Sequence, residues 1–149
     1  MLESSNSPRV DPNDFLLSIA RDAGVVLTPG MRVLDFGCGS GRYVRHLVAQ
    51  GFDAKGADVD EFWRSGDSRS EKPDASDEDL HRFRKIPSEA YRIPFEDNTF
   101  DFCCSNQVFE HVQNYQDAFA EINRVLKPGA AGLHLFPARG RIKIGRAHV

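Results

Sequence analysis

Residues 33–43 have the sequence Val-Leu-Asp-Phe-Gly-Cys-Gly-Ser-Gly-Arg-Tyr. The first four residues predict a short apolar strand interrupted only by Asp35, and glycines then alternate at positions 37, 39 and 41 before a helical pattern begins. Glycine tolerates positive φ and lets a ligand approach the backbone, and the free N–H groups of a following helix face the same place. A strand, a glycine turn and a helix in this order predict a site for a nucleotide-like ligand.

Length and composition limit the class of protein. The chain has 149 residues, which suits one domain with a buried core. A net charge of −3 without a long Lys/Arg block gives no electrostatic reason to expect nucleic acid as a partner. No apolar run reaches about 18 residues and no signal pattern is present, so we expect a soluble, cytoplasmic protein without a membrane partner. The odd count of cysteines without ligand spacing to histidine favours reduced core thiols and no metal site; these are Cys38, Cys103 and Cys104.

The predicted domain covers residues 11–137 and follows a polar, disordered segment at residues 1–10. Asp11 and Pro12 are typical of a helix start, and Gly24 is typical of a helix end. We expect this helix to cover one face of the sheet, with a lid over the ligand site as the alternative. Its predicted apolar face comprises Phe15, Leu16, Ile19, Ala20 and Ala23.

A second strand at residues 53–58 completes a βαβ unit and ends in Asp58. Asp58 should therefore lie beside the glycine turn, at the carboxyl edge of neighbouring parallel strands. A carboxylate in this place can accept both hydrogen bonds from a ribose diol. The alternative for Asp58 is an ordinary turn or helix-cap acid.

The rest of the chain alternates strands and helices. Residues 61–80 are highly charged and predict a flexible, solvated insertion, with a lid anchored by Phe62 and Trp63 as the alternative. Strands are expected at residues 83–86, 100–105 and 132–136. A helix with the apolar positions Val112, Tyr115, Phe119, Ile122 and Leu126 should stop at Lys127-Pro128-Gly129. This order predicts an α/β fold: a Rossmann-like, doubly wound, mainly parallel sheet of about five strands with helices on both faces.

The position of Asp35 indicates which ligand the turn holds. A carboxylate directed into the glycine turn repels a pyrophosphate and attracts an ammonium group. Arg42 also stands where a dinucleotide-binding motif has its third glycine. S-adenosylmethionine carries an ammonium group, a ribose diol and an adenine but no phosphate, so the site fits this cofactor better than NAD.

Four stretches resemble the class I S-adenosylmethionine-dependent methyltransferases, particularly the small-molecule and lipid-type branch: residues 33–43, 56–58, 93–112 and 121–129. The resemblance implies SN2 transfer of the sulfonium methyl to a small-molecule acceptor. It also implies cofactor contacts at the methionine end, the ribose and the adenine. The implied residues are Asp35, Gly37, Cys38, Gly39, Gly41, Asp58, Glu89, Ala90 and Asn106, with Asn106 beneath the methionine portion.

The methyl acceptor and the oligomeric state stay open. His111 is the candidate general base, because an imidazole titrates near neutrality, and a packed helix-turn histidine is the alternative. Tyr43 and Tyr91 border the pocket or pack in the core. A non-catalytic methyltransferase-like binding module and a nicotinamide-dependent oxidoreductase are the alternative functions.

The end of the chain departs from the family. Two more strands are expected after residue 136, whereas residues 138–149 predict only a tail. Residues 144–149, Ile-Gly-Arg-Ala-His-Val, resemble a translated sequencing adapter. We therefore expect a C-terminally truncated chain with a foreign tail, which would expose a sheet edge and could leave the fragment inactive.

Overall fold

The computed structural model describes residues 14–65, 76–87, 91–138 and 141–146. These residues form one six-stranded sheet with the order β3-β2-β1-β4-β5-β6. The strands are β1 Arg32–Phe36, β2 Asp53–Asp58, β3 Phe83–Lys85, β4 Phe100–Asn106, β5 Leu126–Ala138 and β6 Arg141–Arg146. The helices are α1 Phe15–Asp22, α2 Arg42–Ala49, α3 Phe62–Ser65 and α4 Tyr115–Val125, with a short 3₁₀ helix at Asp77–Arg82.

The predicted α/β fold with a mainly parallel sheet is confirmed. All neighbours from β3 to β5 are parallel, with β1 at the centre between β2 and β4. β6 lies in the stretch that was expected to be a tail, and it pairs antiparallel with β5. The sheet therefore has one strand more than the sequence predicts.

Helices cover both faces of the sheet, as predicted. Alternate residues of β1 point to opposite faces, so Val33 packs with α1 and α2 while Leu34 packs with α4. Cys103 and Cys104 divide between the same two clusters, and both are buried free thiols, as is Cys38. The predicted core thiols are confirmed.

The apolar face of α1 differs from the predicted one. Leu16, Leu17 and Ala20 are buried, whereas Phe15 is 54% exposed. Gly24 follows the helix with a φ of 86°, as its predicted role at the helix end requires. The predicted start at Asp11 and Pro12 lies outside the described residues.

The predicted apolar face of α4 is correct at Ile122 and at Leu126, just past the helix, and wrong at Tyr115 and Phe119. Ala118, Ile122 and Val125 are buried, whereas Tyr115 and Phe119 are 52% and 38% exposed. The helix begins after Asn114, whose side chain accepts a hydrogen bond from the Asp117 N–H. The predicted stop at residues 127–129 lies within β5, where the pairing shifts: β4 advances from Phe100 to Phe102 while its partner advances from residue 126 to 131.

The prediction that residues 61–80 form a solvated insertion is wrong at Trp63. Its side chain is 1% exposed and its ring stacks on Phe83 with centroids 5.5 Å apart. Residues 66–75 of the predicted insertion lie outside the described residues. Within the described ranges, no helix has the length and apolarity to cross a bilayer. The same part of the chain contains no group of three or more His, Cys, Asp or Glu residues that could hold a metal ion.

Candidate functional site

The glycine turn after β1 is hydrogen-bonded to the end of β2. The N–H groups of Gly37 and Cys38 both donate to the Ala57 carbonyl, at 2.7 and 3.3 Å. The Gly41 N–H donates to the Cys38 carbonyl at 2.9 Å, within the turn itself. These bonds fix the shape of the turn and use N–H groups that a phosphate would otherwise take.

Gly37 and Gly39 are glycines for different reasons. Gly37 has a φ of 77°, and a Cβ on it would lie 2.3 Å from Val108, so a side chain does not fit. Gly39 has a φ of 52°, and a Cβ there would meet no atom within 4 Å. The open space at Gly39 is where a ligand can approach the backbone.

Asp58 lies beside the glycine turn, as its place at the end of β2 predicts. Its Oδ2 accepts a 2.8 Å hydrogen bond from the Gly39 N–H, and its Oδ1 accepts a longer one of 3.3 Å from the Asp60 N–H. Burial raises the pKa of Asp58, and the backbone hydrogen bonds oppose this rise. The carboxyl keeps lone pairs for further donors, so a turn role and a ligand role are compatible.

Asp35 is a buried carboxyl at the centre of the sheet, 5% exposed. No described residue donates a hydrogen bond to its carboxyl group. Burial, followed by the nearby charge of Asp58, raises the pKa of Asp35 to about 7. A carboxyl group in this setting is costly to ionise unless a cation arrives to pair with it.

Two cavities open at the carboxyl ends of the parallel strands and meet at Gly37 and Asn106. The larger, of about 740 Å³, extends past Asp58 and is also lined by Phe36, Val59, Ile86 and Tyr91. The smaller, of about 420 Å³, contains Asp35, Cys38, Gly39 and Tyr43, and is bordered by Phe15 and Leu16 of α1. Thus α1 both covers the core and borders a ligand-sized space.

The structure brings most predicted site residues to these cavities. Gly41 lines neither, because the Phe83 ring fills its side: a Cβ would lie 2.5 Å from that ring. Glu89 and Ala90 lie outside the described residues. The exposed His111 lines the larger cavity, and its backbone N–H donates to the Val108 carbonyl.

Gln107 is a lining residue that the sequence did not reveal. It has a φ of 55°, rare for a residue with a side chain, and its N–H donates to the Leu135 carbonyl at 2.7 Å. This conformation turns the chain sharply after β4, beside Asn106. No local sequence signal distinguishes Gln107, because its backbone is held by β5.

A buried pair lies below the site and does not reach it. Ser105 Oγ and His134 Nδ1 are 2.8 Å apart, and the two residues are 0% and 2% exposed. Burial lowers the pKa of His134 to about 4, so its imidazole is neutral near pH 7. Since neither residue lines either of the two cavities described above, this pair is part of the core.

Comparison with known proteins identifies a domain type for this chain. A family model described as a methyltransferase domain matches residues 34–133. A sterol 24-C-methyltransferase of Gibberella zeae is 33% identical over 114 residues, covering 74% of this chain and 28% of the relative. The chain therefore spans less than a third of the length of this relative.

Solved structures share the fold. An S-adenosylmethionine-dependent methyltransferase from Aquifex aeolicus has a TM-score of 0.59 at 25% identity, covering 88% of this chain and 72% of that one. The [4+2]-cyclase SpnF has a TM-score of 0.61 at 23% identity, covering 92% of this chain and 53% of that one. The same fold thus occurs in proteins whose names indicate different reactions.

Proposed function

We propose that this chain, which belongs to the methyltransferase domain family, binds S-adenosylmethionine and supports transfer of its methyl group to a small-molecule acceptor. The observation that carries the proposal is Asp35. Its carboxyl is buried, lacks a hydrogen-bond donor among the described residues and faces the smaller cavity. An ammonium group would supply the missing partner and the counter-charge.

The described residues fit the parts of this cofactor. We place the methionine end in the smaller cavity, against Asp35 and the backbone of Gly37, Cys38 and Gly39. Asp58 would accept hydrogen bonds from the ribose, and the apolar wall of the larger cavity would take the adenine. That wall comprises Phe36, Val59 and Ile86. By resemblance, Glu89 and Ala90 are proposed adenine contacts, and Asn106 lies where the two cavities meet.

The protein's contribution to the reaction is alignment and exclusion of water. When bound, the cofactor supplies a sulfonium methyl that an acceptor nucleophile can displace in an SN2 step. Asp35 would hold the amino-acid end of the ligand and Asp58 its ribose, so that only one orientation fits. Phe15 and Leu16 border the cavity and would shield the bound ligand from water on the α1 side. His111 is placed to accept a proton if the acceptor nucleophile carries one.

A binding module without methyl transfer is the second candidate, and the likeness to SpnF favours keeping it. The nicotinamide alternative is weaker. The N–H groups of Gly37, Cys38 and Gly39 are bonded within the protein, so they are not offered to a pyrophosphate. We also propose a reducing compartment such as the cytoplasm, which suits the free thiols, and a small molecule in preference to nucleic acid as acceptor, given the net charge of −3.

Calorimetry with S-adenosylhomocysteine tests the proposal. We expect saturable binding to the full chain and a loss of about tenfold or more in Asp35→Asn, because a charge-assisted contact disappears. Glu110→Gln is the matched control, since Glu110 is exposed and lines neither cavity. Absence of saturable binding would contradict the proposal. A second assay supplies S-adenosylmethionine with a labelled methyl group and a panel of sterols, quinols and amines as acceptors. Binding without transfer of the labelled methyl to any of these acceptors would favour the non-catalytic module.

A further inference from the structure

We propose that the hydroxyl group of Tyr43 binds the carboxylate of the ligand's α-amino-acid end, and that Tyr43 and Asp35 together recognise the amino-acid zwitterion. This inference rests on the proposed function, since it assigns a further contact within the same site. It concerns the smaller cavity, which both side chains line.

The Tyr43 hydroxyl is a donor without a partner. Tyr43 is the second residue of α2, and its oxygen is buried yet makes no hydrogen bond with any described residue. A buried hydroxyl left unpaired is destabilising, so natural structures rarely keep one without a reason. A ligand oxygen that reaches it from the cavity that Tyr43 lines would satisfy it.

Four N–H groups of the glycine turn are already used within the protein. The N–H groups of Gly37, Cys38 and Gly41 donate to protein carbonyls, and the N–H of Gly39 donates to Asp58. These four N–H groups are therefore not offered to a ligand carboxylate, and the beginning of α2 is the adjoining place from which a donor can come. Tyr43 lies there, and the positive end of the helix favours an anion in the same place.

The Tyr43 ring is held in position by its neighbours in α2 and in the core. It stacks on the His46 ring, with centroids 6.0 Å apart and planes 19° from parallel. His46 Nε2 in turn lies 2.6 Å from Oδ1 of Asp14, at the start of α1. Tyr43 also packs against the core cluster beneath α1. The hydroxyl is thus presented by a fixed ring, which suits a residue that recognises a defined atom.

The chemistry of the two side chains is complementary to a zwitterion. Asp35 is an acceptor that gains from a neighbouring cation. Burial raises the pKa of Tyr43 well above its usual range, so its hydroxyl remains protonated and able to donate. One side chain therefore suits the ammonium and the other the carboxylate, and a ligand with only one of these groups would leave a buried polar group unpaired.

Two ligands separate this role from general packing. S-adenosylhomocysteine carries the amino-acid end, whereas 5′-methylthioadenosine has the same nucleoside without it. We expect Tyr43→Phe to weaken S-adenosylhomocysteine binding by about 10- to 100-fold, the cost of one hydrogen bond to a charged group, and to leave 5′-methylthioadenosine binding unchanged. Tyr115→Phe, on the exposed side of α4, is the matched control and should change neither affinity.

Thermal unfolding supplies an independent measurement. Because the hydroxyl is unpaired in the unliganded protein, Tyr43→Phe should unfold at the same or a higher temperature than the wild type. A lower unfolding temperature would mean that the hydroxyl is bonded within the protein, which overturns the inference.

Three binding results would also overturn it. The first is unchanged affinity of Tyr43→Phe for S-adenosylhomocysteine, and the second is an equal loss for both ligands. The third concerns Arg42, which lines the same cavity. If Arg42→Gln binds the two ligands equally well while Tyr43→Phe still prefers S-adenosylhomocysteine, the inference is overturned. If the wild-type chain binds neither ligand, the proposed function fails as well, whereas the other outcomes affect Tyr43 alone.

Discussion

The N–H of Gly39 donates a 2.8 Å hydrogen bond to Oδ2 of Asp58, 19 residues further along the chain. This bond joins the turn after β1 to the end of β2, and it orients the carboxyl group toward the space where Gly39 leaves the backbone uncovered. The sequence places the two residues at the same edge of the sheet, and the hydrogen bond shows how one positions the other.

Asp58→Asn should weaken binding of S-adenosylhomocysteine and of 5′-methylthioadenosine to a similar extent, because both ligands carry the ribose. We expect a loss of roughly 10- to 100-fold by calorimetry, the range for a hydrogen bond to a charged acceptor. Asp22→Asn, exposed at the end of α1, is the control. A loss confined to S-adenosylhomocysteine would place Asp58 at the amino-acid end and contradict the assignment.

Alanine at Gly39 should mainly impair ligand binding, whereas alanine at Gly37 should mainly destabilise the fold. Gly39→Ala meets no protein atom within 4 Å, so we expect a stability loss of about 1–2 kcal/mol from its positive φ, together with loss of ligand binding. Gly37→Ala would place a Cβ 2.3 Å from Val108 and should cost more, about 2–4 kcal/mol. Urea unfolding and calorimetry measure both effects. Unimpaired binding by folded Gly39→Ala would show that the ligand does not approach there.

The stability of Asp35→Asn should respond to pH differently from that of the wild type. The pKa of Asp35 is raised from 3.8 to about 7, so the folded state holds the proton more tightly, and the contribution of this carboxyl to stability is lost as pH rises from about 4 to about 7. The effect is on the order of 4 kcal/mol. Asp35→Asn should therefore be more stable than the wild type at pH 8, with little difference at pH 4. Urea unfolding at both pH values measures it, and equal destabilisation at both would contradict the prediction.

His134 acts in the opposite direction over nearly the same range. Its pKa is lowered from 6.5 to about 4, so stability is lost as pH falls from about 6.5 to about 4, by on the order of 3 kcal/mol. In the wild type the two contributions should largely cancel between pH 4 and 6.5. In Asp35→Asn the His134 contribution should remain alone, giving stability that rises with pH. A flat profile in that variant would show that His134 is not protonated on unfolding.

Ligand binding should release a proton from Asp35. At pH 6 the carboxyl is mostly protonated, because its pKa is about 7, and the ammonium group of S-adenosylhomocysteine should displace this proton. Calorimetry in two buffers of different ionisation enthalpy should show about one proton released. The same measurement with 5′-methylthioadenosine is the control and should show none. Equal proton release by both ligands would assign the proton to another group.

The glycine motif and the pattern of apolar strands predicted the central βαβ unit of the molecule well. β2 has the predicted bounds, because its polarity changes at Asp53 and Asp58. The predicted face of α4 was wrong at Tyr115 and Phe119 because two overlapping apolar stripes of the helix both contain Ile122. The stripe that packs on the sheet includes Ala118, whose small side chain makes this stripe hard to recognise in the sequence. Phe119 instead stacks on Phe109, with ring centroids 4.6 Å apart. This contact comes from the loop after β4 and has no signature in the helix itself.

Contacts between distant parts of the chain also limit how much of the site can be predicted from the sequence. Asp35 and Asp58 follow from their positions at the ends of predicted strands. The unpaired hydroxyl of Tyr43 does not, because it depends on how α1 and α2 pack together. Long-range packing, which a local pattern does not encode, decided which polar groups were left without partners.

The hydrogen bonds of the glycine turn have a consequence for anyone seeking to block this site. The amides of Gly37, Cys38 and Gly39 are bonded before any ligand binds, so they should exchange slowly with deuterium in the empty protein and little more slowly when it is loaded. Because the turn is already ordered, the binding of a compound costs no conformational entropy of the turn, and a compound cannot gain affinity by ordering it. Inhibitors would therefore have to match a shape that already exists, and rigid mimics of the bound ligand should be favoured over flexible ones.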